Sequence, residues 1–159
     1  MKKELRFVLT FLGLLVLTEG IGALSAYLAG DIKGKYLALE LPPLSPPTWV
    51  FGIAWPLLYA LMALSLTLYI GCGVNRRRKQ VGISLFTIQL FLNFLWSIIF
   101  FAGGLYWVGL VVIILLDLAV AALVIIVRPH SLWASRLLLP YLVWLLFATY
   151  LTVGVAAYN

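Results

Sequence analysis

Five stretches of this sequence are each long and apolar enough to cross a lipid bilayer, and this pattern constrains the fold more than any other feature. They cover residues 7–29, 48–71, 81–102, 105–127 and 134–157. A membrane-spanning helix needs about 20 mostly apolar residues, and a helix satisfies its own backbone polar groups in lipid. The sequence therefore predicts an all-α integral membrane bundle of five transmembrane helices that forms one domain over residues 1–159.

The composition agrees with a chain whose solvent is lipid. Of the 159 residues, 65% are hydrophobic and only 10% are charged, whereas a soluble domain has about 25% charged residues. The single cysteine, Cys72, and the single histidine, His130, form no Cys/His zinc pattern and no pair of axial haem ligands. The sequence thus predicts no metal site and no required cofactor.

The basic residues predict the orientation in the membrane. With five spans, the N-terminus and the second and fourth connections lie on one side, which holds nine of the eleven Lys and Arg residues. The other side holds only Lys33 and Lys35. Because cytoplasmic loops are enriched in Lys and Arg, we expect a bacterial cell-membrane protein with a cytoplasmic N-terminus and an external C-terminus. The basic run at 76–79 then marks topology, and no nucleic-acid partner is expected.

The first apolar stretch has a second interpretation, because a secretory signal also starts with basic residues. Lys2, Lys3 and Arg6 precede it, and small residues occupy positions 23–26. A signal peptide, however, has an apolar core of only about 7–15 residues. The length of this stretch favours a membrane span.

The connection 30–47 is the only long one, and it contains Pro42, Pro43, Pro46 and Pro47. Long connections often form lids or binding loops, and consecutive prolines stiffen a chain by fixing φ. We therefore expect a semi-rigid lid. Pro56, inside the second span, removes one helical hydrogen bond, so we expect a kink that opens space beside Trp55 and Tyr59, which share a helix face.

Two spans carry polar and aromatic stripes with helical spacing. The stripe of the third span consists of Phe86, Gln89, Asn93, Trp96 and Phe100, and that of the last span consists of Tyr141, Trp144, Ala148 and Thr152. Gln89 and Asn93 are costly in hydrocarbon and should point inward. Two interpretations stay open: the amides only join helices by hydrogen bonds, or they form the polar floor of an aromatic-walled pocket.

Two carboxylates also lie inside apolar stretches, namely Glu19 in the first and Asp117 in the fourth. Asp117 is interpreted as a buried, hydrogen-bonded acid or, alternatively, as one member of a proton relay with Glu19. No serine has a histidine or paired acid that the sequence places beside it. Trp49, Trp107 and Trp133 lie near span ends, where tryptophan anchors helices at the membrane interface.

Four motifs follow one another along the chain. They are Pro46-Pro47-x-Trp49-x-Phe51, Trp55-x-x-Leu58-Tyr59, Gln89-Leu90-x-x-Asn93-x-x-Trp96 and Pro140-Tyr141-x-x-Trp144-x-x-Phe147-Ala148. In this order, on a chain with five spans, they resemble the TspO/translocator protein family, also called tryptophan-rich sensory proteins or peripheral-type benzodiazepine receptors. The resemblance implies a five-helix bundle that often forms homodimers.

The same resemblance implies a pocket under the first connection that binds porphyrins such as protoporphyrin IX and haem, and drug-like benzodiazepine or isoquinoline ligands. It implies roles in tetrapyrrole transport, stress sensing or light-dependent porphyrin degradation. The two tryptophans tied to that degradation match Trp55 and Trp144. The family's pocket asparagine matches Asn93, its lid tyrosine matches Tyr36, and Asp117 stands where many members have an acid.

The residues and the resemblance together give one set of expected ligand contacts. It comprises Tyr36, Pro42, Pro43, Trp55, Tyr59, Gln89, Asn93, Trp96, Asp117, Tyr141, Trp144 and Ala148. The chain departs from the family pattern at Leu41, Leu44 and Thr152, and no basic residue follows Arg136 to form a C-terminal sterol site.

The sequence is therefore compatible with three functions. The leading interpretation is a membrane receptor or carrier for tetrapyrroles, held in the bilayer and forming a homodimer. The second is an enzyme that degrades porphyrin oxidatively in light, with Trp55 and Trp144 as redox partners. The third is a structural or assembly protein without a small ligand.

The orientation can be tested at Arg77. In a Cys72→Ser background, Arg77→Cys should resist a membrane-impermeant thiol reagent in intact cells, because the charge bias places position 77 in the cytoplasm. Lys33→Cys, on the other side, is the matched control and should react rapidly. Rapid labelling at position 77 with protection at position 33 would reverse the topology.

Overall fold

The long apolar stretches form long helices in a computed structural model that describes residues 2–159. The elements are α1 (Lys2–Ala29), α2 (Ile32–Ala38), α3 (Thr48–Gly71), α4 (Arg76–Ser97), a π-helical turn (Ile98–Ala102), α5 (Tyr106–Val127) and α6 (Leu132–Tyr158). Within the described residues, five helices are long and apolar enough to cross a membrane, with α4 and its π-helical turn counted as one. The predicted all-α membrane bundle is confirmed.

The bundle buries one core and turns large apolar side chains outward. Tyr59, Met62, Leu116, Val120 and Leu145 belong to the central cluster. α5 packs between α4 and α6, while α1 lies against α3, and α3 also contacts α6. The many exposed leucine, valine and isoleucine side chains of the outer faces suit lipid, because lipid tails are as apolar as these side chains.

Hydroxyl groups on small residues fasten α1 to the rest of the bundle. Thr18 donates a hydrogen bond of 3.3 Å to the carbonyl of Tyr59 in α3. Ser25 donates one of 2.7 Å to the carbonyl of Phe94 in α4. Such bonds between membrane helices contribute about 0.6–2 kcal/mol each, so they help to hold a helix that has little buried apolar surface.

Charged residues extend two helices beyond the apolar stretches from which they were predicted. α1 begins at Lys2 rather than at residue 7, and α4 begins at Arg76 rather than at residue 81. The side chain of Asn75 starts α4 by accepting a 2.9 Å hydrogen bond from the N–H of Arg78. Lys79 then donates a 2.7 Å bond to the carbonyl of Ile70 at the end of α3. The basic run is thus the first turn of a helix.

The connection after α1 contains a short helix that the proline content did not predict. Gly30 has a φ of +79° at the turn out of α1, a conformation that glycine adopts without strain. Asp31 then caps α2 by accepting a 2.9 Å hydrogen bond from the N–H of Gly34. Lys35 donates a 2.9 Å bond back to the carbonyl of Ala29 at the end of α1.

The proline-rich half of this connection is fixed to α6. Tyr150 donates a 2.8 Å hydrogen bond to the carbonyl of Pro43. Pro42 lies so close to Gly154 that a Cβ at position 154 would be 2.5 Å from the proline ring. The side chain of Asn159 bonds to both backbone groups of Glu40, at 3.0 and 3.1 Å. We call residues 30–47 the lid; its second half is anchored at three points.

Candidate ligand-binding site

A cavity of about 420 Å³ lies under α2, between α1, α3, α4 and α6. This volume falls within the range of about 300–1,000 Å³ that is usual for small-molecule sites. Its lining residues come from five elements and the lid: Glu19, Gly22, Ala23, Ala26, Ile32, Lys33, Tyr36, Thr48, Phe51, Gly52, Trp55, Pro56, Tyr59, Trp96, Ser97, Phe101, Trp144 and Ala148.

One wall of the cavity is a connected set of aromatic rings. Trp55 and Tyr59, one turn apart on α3, stack with ring centroids 5.6 Å apart and an interplanar angle of 29°. Trp144 of α6 meets Trp55 edge to face at 6.5 Å. Phe51 joins this group to the lid, with its ring 5.9 Å from Trp144 and 5.2 Å from Tyr36. The contacts hold these rings in place before any ligand enters.

A strip of small residues on α1, which sequence analysis missed, also lines the cavity and lies next to the Tyr59 ring. Gly22, Ala23 and Ala26 line the cavity together with Glu19. A Cβ at Gly22 would overlap the ring of Tyr59, so glycine is needed for α1 to approach α3 this closely. The detectable signal was the helical spacing of Glu19 with the three small residues, which places all four on one face.

Pro56 adds a polar atom to the wall although α3 continues through it. Proline has no N–H, so the carbonyl of Gly52, four residues earlier, lacks its helical partner. Gly52 and Pro56 both line the cavity. The break in the hydrogen-bond ladder therefore lies beside the cavity, and the kink expected at Pro56 stays a prediction.

Behind Tyr59 runs a chain of three buried hydrogen bonds. Tyr59 donates to Oδ1 of Asn93 at 2.8 Å. Nδ2 of Asn93 donates to the hydroxyl of Tyr141 at 3.0 Å, and Tyr141 donates to Oε1 of Gln89 at 3.0 Å. Gln89, Asn93 and Tyr141 are buried and lie outside the cavity lining. They support the wall through Tyr59, so both earlier interpretations of the amides apply in part.

The other expected contacts divide into two groups. Tyr36, Trp96, Trp144 and Ala148 line the cavity. Tyr36 donates a 2.8 Å hydrogen bond to the carbonyl of Pro46, and burial raises the pKa of its phenol above the ordinary value. The ring therefore stays a neutral donor at physiological pH.

Asp117, Pro42 and Pro43 lie outside the cavity lining. The Asp117 carboxylate accepts a 2.7 Å hydrogen bond from Thr149, between α5 and α6. The prolines anchor the lid to α6 instead of facing the cavity. Glu19, the proposed relay partner of Asp117, lies on the cavity wall, so only one of the two acids belongs to the site.

The charge of the cavity is confined to two residues. Among the lining residues only Glu19 and Lys33 are charged, and they come from α1 and from the lid helix α2. Over residues 2–159, no group of three or more His, Cys, Asp or Glu side chains is placed to hold a metal ion. The site is thus mainly apolar, with isolated polar groups suited to orienting a ligand.

Comparison with known proteins identifies the family. The sequence model described as TspO/MBR family matches residues 13–158. The chain is 42% identical over 135 residues to Tryptophan-rich protein TspO of Archaeoglobus fulgidus, covering 85% of this chain and 86% of that protein. It is 36% identical to the human Translocator protein, covering 79% and 75% of the two chains.

A third relative is Protein CrtK of Rhodobacter capsulatus, 30% identical over 124 residues and covering 78% of each chain. The family match extends from α1 to the end of α6, so it includes every element that lines the cavity. With its five membrane helices and its aromatic-walled cavity, the chain belongs to the TspO/MBR family.

Proposed function

We propose that this protein is a membrane receptor or carrier that binds a tetrapyrrole, such as protoporphyrin IX or haem, in the cavity under the lid. The observation that supports the proposal is that the stacked rings of Trp55 and Tyr59 line one cavity together with a strip of small residues on α1. Aromatic rings beside small side chains leave room for a planar, apolar molecule. Benzodiazepine- and isoquinoline-type molecules, which are also flat and aromatic, are proposed as further ligands.

The chemistry of the cavity suits a macrocycle held by its faces. Each aromatic contact adds about 0.5–1.5 kcal/mol beyond the burial of apolar area. Lys33 offers a cation for an acidic ring substituent. The lining residues include no His, Cys or Met, and the two lining phenols, a further kind of axial ligand of haem iron, already donate hydrogen bonds within the protein. We therefore propose that a haem is held by its faces, as the metal-free ring is.

The names of the relatives support a role in transport or signalling. One relative is called a Translocator protein and another, from Cereibacter sphaeroides, a Tryptophan-rich sensory protein. We therefore propose that tetrapyrrole binding serves transport across the membrane or a response to stress. Because the second half of the lid is anchored to α6, α2 is the part of the lid that can move. α2 covers the cavity, so an entering ligand must displace it.

A second candidate function is light-dependent oxidation of the bound porphyrin. The observation that favours it is the edge-to-face contact between Trp55 and Trp144 on the cavity wall, at 6.5 Å. In this reaction light excites the bound macrocycle, the macrocycle loses electrons, and dioxygen is the oxidant that accepts them; the indoles relay electrons between the two and return to their starting state. Product analysis after incubation in light and in the dark separates this activity from binding alone.

Replacement of the two wall tryptophans tests both functions. Trp55→Phe and Trp144→Phe each keep a ring face, so we expect protoporphyrin IX affinity within about threefold of wild type. That change is about 0.65 kcal/mol, at the low end of the energy of one aromatic contact. Bleaching of the bound porphyrin under constant illumination should slow sharply, because indole is oxidised more readily than phenyl. The measurements are a tryptophan-fluorescence titration and the loss of porphyrin absorbance.

Trp133→Phe is the matched control, because Trp133 is exposed and lies outside the cavity. It should change neither property. Bleaching at the wild-type rate in both cavity variants would show that the rings act only as walls. Failure of the wild type to bind protoporphyrin IX would contradict the proposed function itself.

Asn93 is expected to act through Tyr59 and not by touching the ligand. Asn93→Ala breaks two buried hydrogen bonds and should lower the free energy of unfolding by about 1–3 kcal/mol, with little change in porphyrin affinity. Tyr59→Phe removes the first of these bonds and keeps the ring. It should therefore lower the free energy of unfolding less than Asn93→Ala does, and it should also leave the porphyrin affinity nearly unchanged. Thermal unfolding in detergent measures the change in stability, and a binding curve measures the porphyrin affinity. A large loss of affinity in Asn93→Ala at unchanged stability would place this amide in contact with the ligand.

A further inference from the structure

Glu19 is a carboxylate at a depth where membrane proteins rarely carry one. It lies ten residues before the end of α1, which corresponds to about 15 Å along the helix at 1.5 Å per residue. That depth is near the middle of a hydrocarbon layer about 30 Å thick. Ionisable groups at such positions face cavities or partners and commonly serve function.

No protein group neutralises this carboxylate. Within residues 2–159, Glu19 makes no hydrogen bond and no ion pair, and it lies near Tyr59. Its side chain is half-buried and lines the cavity beside Gly22. A structural acid would be paired inside the bundle, as Asp117 is with Thr149 at 2.7 Å. Glu19 is therefore available to whatever occupies the cavity.

The other charge of the cavity lies at its mouth. Lys33 belongs to α2, four residues beyond the end of α1, and is exposed. The two charges thus have opposite signs and are separated along the depth of the cavity, with the cation outside and the anion inside. Because the remaining lining residues are uncharged, this pair sets the polarity of the whole cavity.

We propose that Glu19 is a specificity-determining residue that admits only tetrapyrroles whose carboxylates all lie on one edge. Such a ligand enters with its acidic edge at Lys33 and its apolar edge towards Glu19. A ligand with carboxylates on opposite edges places one of them against Glu19, and juxtaposed like charges cost several kcal/mol at a desolvated site. This inference rests on the proposed tetrapyrrole binding and adds the class of macrocycle.

The test compares protoporphyrin IX, whose propionates share an edge, with coproporphyrin, whose propionates are distributed around the ring. Wild-type protein should bind protoporphyrin IX more tightly. Glu19→Gln keeps the shape and removes the charge, so it should reduce the ratio of the two affinities by about tenfold or more, mainly by improving coproporphyrin binding. Glu40→Gln is the matched control: Glu40 is exposed on the same side of the bundle and outside the cavity, and the ratio should not change.

A second variant tests the orientation without altering Glu19. Lys33→Gln should weaken protoporphyrin IX binding severalfold but leave its dimethyl ester unaffected, because the ester has no carboxylate for Lys33 to pair with. Thermal unfolding of each variant confirms that it is folded.

The outcomes separate the two proposals. Binding of both porphyrins with an affinity ratio that Glu19→Gln leaves unchanged would overturn the role of Glu19 alone. An equal effect of Lys33→Gln on the acid and the ester would overturn the orientation. Absence of binding of every porphyrin to the wild type would instead contradict the proposed function.

Discussion

The hydrogen-bond chain from Tyr59 through Asn93 and Tyr141 to Gln89 stabilises the helices that surround the site. It joins α3, α4 and α6 through side chains that are buried in the bundle. Lipid supplies no hydrophobic force between helices, so association relies on packing and on such bonds. The chain also connects the ring of Tyr59, and the Trp55 ring stacked on it, to the interior of the bundle. The cavity wall is therefore an extension of the bundle's polar core.

The cavity combines two kinds of lining. Aromatic rings come from α3 and α6, while Gly22, Ala23 and Ala26 give α1 a thin surface next to them. Gly22 lets α1 approach the Tyr59 ring, and the lid covers the open end, anchored to α6 through Pro42 and Pro43. The prolines thus act at a distance from the cavity: they hold the lid's second half still and leave α2 above the opening.

Sequence patterns predicted the helices well but the contacts only in part. Span prediction depends on length and composition, which are local properties, and five long helices followed from them. The stripe through Gln89, Asn93 and Trp96 predicted an inward face, and Trp96 does line the cavity. That Asn93 turns to Tyr59 and Tyr141 depends on helix rotation, which packing sets and periodicity does not. α2 was not predicted because it is only 7 residues long, which is too short for a periodic signal. The strip on α1 was missed because glycine and alanine carry neither charge nor aromatic character.

We propose that a planar tetrapyrrole occupies the cavity lined by α1 and by the aromatic rings of α3 and α6. Ala26→Leu is the sharpest test, because Ala26 is exposed and lines the cavity, and a larger side chain there fills space without removing any aromatic or polar group. Ala157→Leu, exposed near the end of α6 and outside the cavity, is the control. We predict that protoporphyrin IX quenches the tryptophan fluorescence of the wild type and of Ala157→Leu with equal affinity. Ala26→Leu should bind at least about fivefold more weakly, as expected for overpacking that costs about 1–3 kcal/mol. Equal affinity in all three proteins would show that the ligand does not bind in this cavity.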